Sequence, residues 1–132
     1  MDTPPPADLF ASLHGGKTIS LTTFKKGGTP AATPVWFVPL NGRLYVRTGQ
    51  ATGKVKRIRR DPVVTVAPCT SEGRVTGPPL PGIARVLPPD EAEAPRRAWA
   101  RRYRLERGLL GMARAVLRRP EDDVVFIEIS PV

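Results

Sequence analysis

The stretch from Val46 to Arg60, VRTGQATGKVKRIRR, sets Arg47, Lys54, Lys56, Arg57, Arg59 and Arg60 among the hydroxyls of Thr48 and Thr52 and the glycines Gly49 and Gly53. Residues of these types bind anions. A strand ending in Arg47 and Thr48, a flexible GQATG and a helix beginning at Lys54 would bring cations, hydroxyls and free backbone N–H groups to one point. Such a cluster suits a phosphate group. On the residues alone three partners compete for it: nucleic acid, a small phosphorylated cofactor, or solvent around a loop that is merely basic.

The other reactive side chains offer less. Cys69, at the end of an expected strand, would need a neighbouring base to act as a nucleophile, and the single histidine, His14, is remote from it in sequence. A buried structural thiol is the better account of Cys69. One cysteine excludes an intramolecular disulfide, and one cysteine with one histidine leaves too few soft ligands for a zinc or iron site, so no metal is expected. His14 stands beside Gly15 at an expected helix end, where it serves the helix dipole. Asp122 and Asp123 are adjacent ahead of a strand, face opposite ways and read as a turn rather than as paired catalytic carboxylates. Nine arginines lie between Arg96 and Arg119 against the single acid Glu106, which raises the question of a nucleic-acid face. An amphipathic helix in this composition writes its solvated side in arginine, and no DNA- or RNA-binding signature accompanies the run. The arginines are therefore assigned to solvent, and Trp99 and Tyr103 to the core. No catalytic side chain is assigned.

Several elements must position the basic stretch. ADLFASLHGG reads as a short helix capped by Gly15. From Lys17 the chain turns to short runs rich in Thr, Val, Ile and Phe: KTISLTTF, then PAATPVWFVPL, then NGRLYVRT, joined by KKGG and by Asn41-Gly42, whose positive φ suits tight hairpin turns. In RLYVRT, Leu44, Val46 and Thr48 alternate with Arg43, Tyr45 and Arg47, so Arg47 points away from Val46. Val55 and Ile58 have helical spacing, and Pro62 stops the short helix that follows Gly53. VVTVAPC and GIARVL read as two more strands. Asp90 with Glu93 resembles a capping box at the start of a helix in which Ala98, Trp99 and Tyr103 form a buried stripe. Leu105, Leu109, Met112, Ala113 and Val116 continue the apolar spacing, with Gly108 and Gly111 dividing the stretch into two helices. In DDVVFIEIS, Val125, Ile127 and Ile129 alternate with Phe126 and Glu128 as a last strand. About six antiparallel strands with short helices give a mainly β, α+β barrel.

The bounds agree with that reading. A chain of 132 residues is expected to form one domain over residues 1–132. Hydrophobic residues make up 40% of it, and no run approaches the roughly 20 apolar residues that span a bilayer. The N-terminal MDTPPPADLF lacks a basic flank followed by an apolar stretch, so a cytoplasmic protein is expected. A formal charge of +9 attracts any polyanion and does not choose among them.

TPVWFV, GRLYVRTG, TGKVKRIRRDPVVTVAPC and GIARVL, in that order, resemble the pyridoxamine 5'-phosphate oxidase-like superfamily, most of all its coenzyme F420 (deazaflavin)-dependent oxidoreductases. The resemblance runs from Lys17 to Val132. It implies a split β-barrel of the FMN-binding type, a homodimer, and a cofactor in a groove at the subunit interface. It implies that the ring lies along Thr33, Pro34, Val35 and Trp36, largely against backbone. The cofactor phosphate would meet Thr52 and Lys54, with Arg47, Thr48 and Gly53 around it and Arg57 one turn further on. Many relatives read Ser-Arg-Lys where this chain reads Thr52-Gly53-Lys54, so an arginine is absent, and Gly53 is expected to leave room for a longer cofactor tail. The implied activity is hydride transfer from reduced coenzyme F420 to a conjugated small-molecule acceptor. The alternatives are an FMN-dependent oxidase-like enzyme and a non-catalytic flavin or deazaflavin carrier. Neither a nucleic acid nor a membrane is an expected partner.

Overall fold

In the computed structural model of the protein, which describes residues 6–13, 15–104 and 123–132, seven strands form one antiparallel sheet. They are β1 (Thr18–Phe24), β2 (Pro30–Trp36), β3 (Val38–Leu40), β4 (Arg43–Gly49), β5 (Val63–Pro68), β6 (Leu80–Val86) and β7 (Val124–Pro131). Helix α1 spans Gly53–Arg60 and helix α2 covers 93–104, with 3-10 turns at Pro6–Leu13 and Pro89–Glu91. The strand order is β2-β1-β5-β6-β7-β4-β3. The two ends of that order are consecutive in the chain, separated by Phe37 alone, so the sheet curls round until one segment supplies both of its edges.

The chemistry of that segment explains its position. Pro30, Pro34 and Pro39 lack the N–H that an inner strand must donate to two neighbours, and proline is accordingly confined to sheet edges. PAATPVWFVPL, expected as one strand, is therefore two: its first half pairs with β1 (Thr18 opposite Trp36) and its second with β4 (Val38 opposite Tyr45). At the switch, the Phe37 N–H donates to the Lys17 carbonyl and the Phe37 carbonyl accepts from the Tyr103 hydroxyl of α2. The other connections follow the turn residues. Gly27 and Gly28 take positive φ in KKGG, and Asn41 (φ 54°) with Gly42 (φ 79°) makes the β3–β4 hairpin.

Two cores lie on the two faces of the sheet. Inside the curl, Ile19, Leu21, Leu44, Val46, Val64 and Ile127 pack with Phe37, and Phe10 and Leu13 close the core together with Val55 and Ile58 of α1. Burial of Val55 and Ile58 contributes about 1.5–3 kcal/mol each and seats α1 against the barrel. Outside, Val38, Tyr45 and Phe126 pack under Ala98, Trp99 and Tyr103, the stripe expected from the helical spacing. The Trp36 ring stacks on Tyr103 at 5.0 Å, Trp99 tilts against Tyr103 at 4.7 Å, and Phe126 meets Trp99 edge-on at 6.0 Å.

Three local expectations change. The N-terminal helix is a 3-10 turn. Asp90 lies in the second 3-10 turn rather than at a helix cap, and Glu93 instead bonds forward to Arg96 and Arg97. Cys69 is half-buried, bridged to Val75 at the base of a hairpin, with its thiol pushed up by burial. The turn expected at Asp122-Asp123 is described only at Asp123, whose carbonyl accepts from the Gln50 N–H. His14, Asp122 and the apolar positions Leu105 to Val116, with Gly108 and Gly111, lie outside the described residues.

Tyr103→Phe keeps the ring stack and deletes the bond to the strand switch, leaving the Phe37 carbonyl without its helix partner. It is expected to cost about 1–3 kcal/mol of folding stability, read as a lower urea midpoint at unchanged slope. A loss below about 0.5 kcal/mol would show that this bond does not hold the switch.

Candidate functional site

The basic stretch folds as strand, loop and helix in the expected order. Thr48 ends the inward row of β4, where it is buried, and the chain then turns through Gly49 to Thr52. Thr52 occupies the N-cap position of α1 without capping it: its hydroxyl turns back and donates to the Gly49 carbonyl at 3.0 Å. Thr52 does not cap the helix and its first turn carries no acidic residue, so the positive end of the helix has neither a side-chain cap nor a carboxylate of its own.

Two cations crowd that end. Lys54 is half-buried, and burial first, then the like charge of Arg57, holds its ammonium below its ordinary pKa. Arg57 reaches back from the next turn. Its Nε donates to the Thr23 hydroxyl of β1 at 2.6 Å, and its Nη1 lies 2.7 Å from where a Cβ on Gly53 would stand. The space over Gly53, expected to admit a cofactor tail, is thus filled by the Arg57 guanidinium. A side chain at position 53 would require the guanidinium to shift. Thr52, Gly53, Lys54 and Arg57 are therefore brought together.

Thr33, Pro34, Val35 and Trp36 lie along β2, which is terminal in the sheet, so the side of its backbone turned away from β1 has no strand ladder. Continuing the β3–β4 register past Phe37 would set Trp36 opposite Arg47 and Val35 opposite Thr48. Instead β2 departs from β4 to pair with β1, and a split opens between them. Val35 packs on the inner core, whereas Trp36 is 41% exposed and stacked on Tyr103. Arg47 and Thr48, neighbours on β4, project to opposite faces: Thr48 inward in the row of Val46, Arg47 outward in the row of Tyr45. They do not face one anion together.

Sequence reasoning missed two features. Thr23, which orients Arg57, lies 34 residues away from it, and nothing local to TISLTTF marks its hydroxyl. The second is a cleft of about 500 Å³ with Gln50, Arg59 and Arg96 on its walls and Leu87, Val125 and Phe126 among its apolar lining. Its polar groups come from the β4–α1 loop, α1 and α2, which only the fold assembles. The other α1 arginine, Arg60, is tied to the Phe24 carbonyl at 2.8 Å.

The protonic groups near the sheet are not poised for exchange at neutral pH. Burial, with the bond to Glu128 second, pushes Tyr45 up to about 12, and burial also raises Tyr103 and Cys69. Among the described residues no cluster of His, Cys, Asp and Glu could hold a metal ion. No described helix is long and apolar enough to cross a membrane.

A sequence model of the family described as pyridoxamine 5'-phosphate oxidase matches residues 7–131. No curated protein matches the chain in sequence. Among solved structures, a conserved hypothetical protein of Mycobacterium tuberculosis is 19% identical over 99% of this chain and 81% of its own, with a TM-score of 0.67. The haem storage protein HutZ of Vibrio cholerae is 17% identical over 100% and 92%, with a TM-score of 0.65. An FAD-binding protein of Mesorhizobium loti is 18% identical over 94% and 85%, with a TM-score of 0.62. At these identities the likeness establishes the split-barrel fold.

An anion seated between Lys54 and Arg57 would favour the protonated ammonium and raise the lowered Lys54 pKa. Affinity for inorganic phosphate is therefore expected to be full below that pKa and to fall as pH rises through it, with proton uptake on binding in that window. Titration calorimetry in buffers of different ionisation enthalpy reads the uptake. Phosphate affinity with no lysine-dependent fall and no proton uptake, unchanged by Lys54→Ala, would exclude Lys54 as a ligand.

Proposed function

The chain belongs to the pyridoxamine 5'-phosphate oxidase family, and on that premise we propose that it is an oxidoreductase that holds a phosphate-bearing flavin-type cofactor, coenzyme F420 in the first reading. The observation that carries the reading is the pair of cations, Lys54 and Arg57, held at the uncapped start of α1 where a Cβ on Gly53 would intrude. Two like charges desolvated side by side are unfavourable alone and favourable around an anion.

The residues fit such a cofactor. Lys54, Arg57, the Thr52 hydroxyl and the first N–H groups of α1 would hold its phosphate. The side of β2 turned away from β1, from Thr33 to Val35, carries no strand ladder and would face the rim of a planar ring, with Trp36, stacked on Tyr103, as its wall. When bound, reduced coenzyme F420 supplies a hydride, and the cofactor carries the difficult chemistry while the protein orients it against the acceptor. Burial keeps Tyr45, Tyr103 and Cys69 protonated at neutral pH, so none of them is a base there.

The choice of the deazaflavin rests on charge beyond the phosphate. Arg59 lines the cleft with Gln50 and Arg96, and carboxylates of a glutamyl tail would find cations there. FMN ends at its phosphate and needs the Lys54 site only. It remains the second reading, favoured by the Arg57 guanidinium over Gly53, which closes the room a tail would have used there. The protein is proposed to be cytoplasmic and to act on a conjugated small molecule, without nucleic acid or membrane as partner. A homodimer is proposed because β2 and the half-exposed Trp36 leave the groove walled on one side. The exposed cross-strand pair Val63 and Ile83 adds apolar surface for a second chain.

The deazaflavin is expected to bind more tightly than FMN, with an advantage that shrinks as salt screens exposed charges over roughly 8 Å at physiological ionic strength. Reduced deazaflavin should be consumed with a suitable acceptor, with little oxidase activity toward oxygen. Purification as a yellow protein with stoichiometric FMN and no deazaflavin affinity at low salt would reverse the order. A carrier without turnover would bind reduced deazaflavin and pass hydride to no acceptor in a broad panel.

Lys54→Ala should weaken binding of either cofactor by about 1.5–3 kcal/mol, and Arg118→Ala should leave it nearly unchanged. Equal losses would indicate diffuse attraction without a defined site. Light scattering at micromolar concentration is expected to give twice the mass of the 132-residue chain. A monomer with cofactor present would overturn the dimer.

A further inference from the structure

Arg57 is not a loose surface cation. The hydroxyl that receives its Nε belongs to Thr23, which is 1% exposed, points into the barrel and lies 3.5 Å from the Ala31 carbonyl on β2. Donating toward Ala31, that hydroxyl turns its lone pairs to Arg57, so one oxygen links β2, β1 and α1. With Nε engaged, the guanidinium plane is fixed and its terminal amino groups remain to meet a ligand. Nη1 lies over Gly53, and Nη2 stands 3.7 Å from the same Cβ position. The place is available because residue 53 has no side chain.

We propose that Thr23 and Gly53 are positioning residues that hold the Arg57 guanidinium over the first turn of α1, making it, with Lys54, a preformed two-cation clamp for a phosphate group. Thr23 supplies the latch and Gly53 the vacancy. The guanidinium reaches, from one turn further along the helix, the space that the Cβ of a side chain at position 53 would occupy. A clamp already ordered before the ligand arrives binds more tightly than one that must order an arginine from solvent. The inference rests on the reading of α1 as the cofactor's phosphate site, and it extends that site to two residues that need not touch the ligand.

The test compares FMN with riboflavin, which shares the ring and lacks the phosphate, and adds inorganic phosphate as a probe free of any ring. Thr23→Val and Gly53→Ala should each weaken FMN and inorganic phosphate by about three- to tenfold and leave riboflavin unchanged. Thr23→Ser should restore binding. In an Arg57→Ala background neither substitution should add a further loss. In the ligand-free protein, nitrogen-15 titration of the lysine side chains should show Lys54 moving back up in Thr23→Val and Gly53→Ala as the guanidinium withdraws. Equal losses for FMN and riboflavin, a full loss from Gly53→Ala when Arg57 is already absent, or an unmoved Lys54 would overturn the clamp. Arg57-dependent binding of inorganic phosphate by a protein that takes up neither FMN nor deazaflavin would support the clamp and sink the cofactor reading instead.

Discussion

The hydrogen bond from the Tyr103 hydroxyl to the Phe37 carbonyl stands at the point on which the architecture turns. A sheet of seven strands has two edges, and here both are written in residues 30–40. That segment must leave one partner and join another within a single residue, and the N–H and carbonyl of that residue, Phe37, fall outside both ladders. Its N–H reaches Lys17 and its carbonyl reaches α2. Buried backbone groups without partners cost about 1–3 kcal/mol each, so the switch is tolerable because a helix supplies what the ladders do not. The split between β2 and β4 is the direct geometric result. Had β2 kept the register of β3, Val35 would face Thr48 across a closed ladder, and the barrel would have no groove.

The aromatic residues make the arrangement rigid. Tyr103 touches Trp36 on one side and Trp99 on the other, and Trp99 reaches Phe126 on β7. Arg102 adds its guanidinium over the Phe37 ring and a bond to the Gly16 carbonyl. Helix α2 is thereby joined to the N-terminal approach of β1, to the switch and to β7. The groove's wall and the barrel's closure are the same set of contacts, and the first cannot be altered without loading the second. On the other side of the split, α1 is held from within by Val55 and Ile58 and at its far end by Arg60, so Lys54 and Arg57 sit on a fixed platform.

Much of this was legible in the residues. Alternation in RLYVRT and DDVVFIEIS gives the two faces of β4 and β7, Asn41-Gly42 marks a hairpin, and Val55 with Ile58 marks the buried side of α1. Those are signals of local period and turn chemistry, which neighbouring residues carry together. The division of PAATPVWFVPL was not legible, because a change of strand partner leaves no local mark. Asp90 and Glu93 had the spacing of a cap, yet Pro88 and Pro89 impose a 3-10 turn that takes Asp90 out of the helix. In the site, the types and spacing of Thr52, Lys54 and Arg57 were visible. The latch at Thr23 and the cleft walled by Arg59 and Arg96 were not, since each joins residues far apart in the chain.

The prolines of the edge segment have one more effect. A terminal strand with an open backbone side is a template onto which another polypeptide can add, the first step of domain swapping and fibrillar aggregation. An incoming strand needs a regular succession of donors, and Pro30, Pro34 and Pro39 interrupt that succession along the whole exposed margin. A small planar molecule needs two or three hydrogen-bonding groups and is indifferent to gaps between them. The same margin, if it takes the proposed ring, would admit a heterocycle while resisting the addition of a foreign strand.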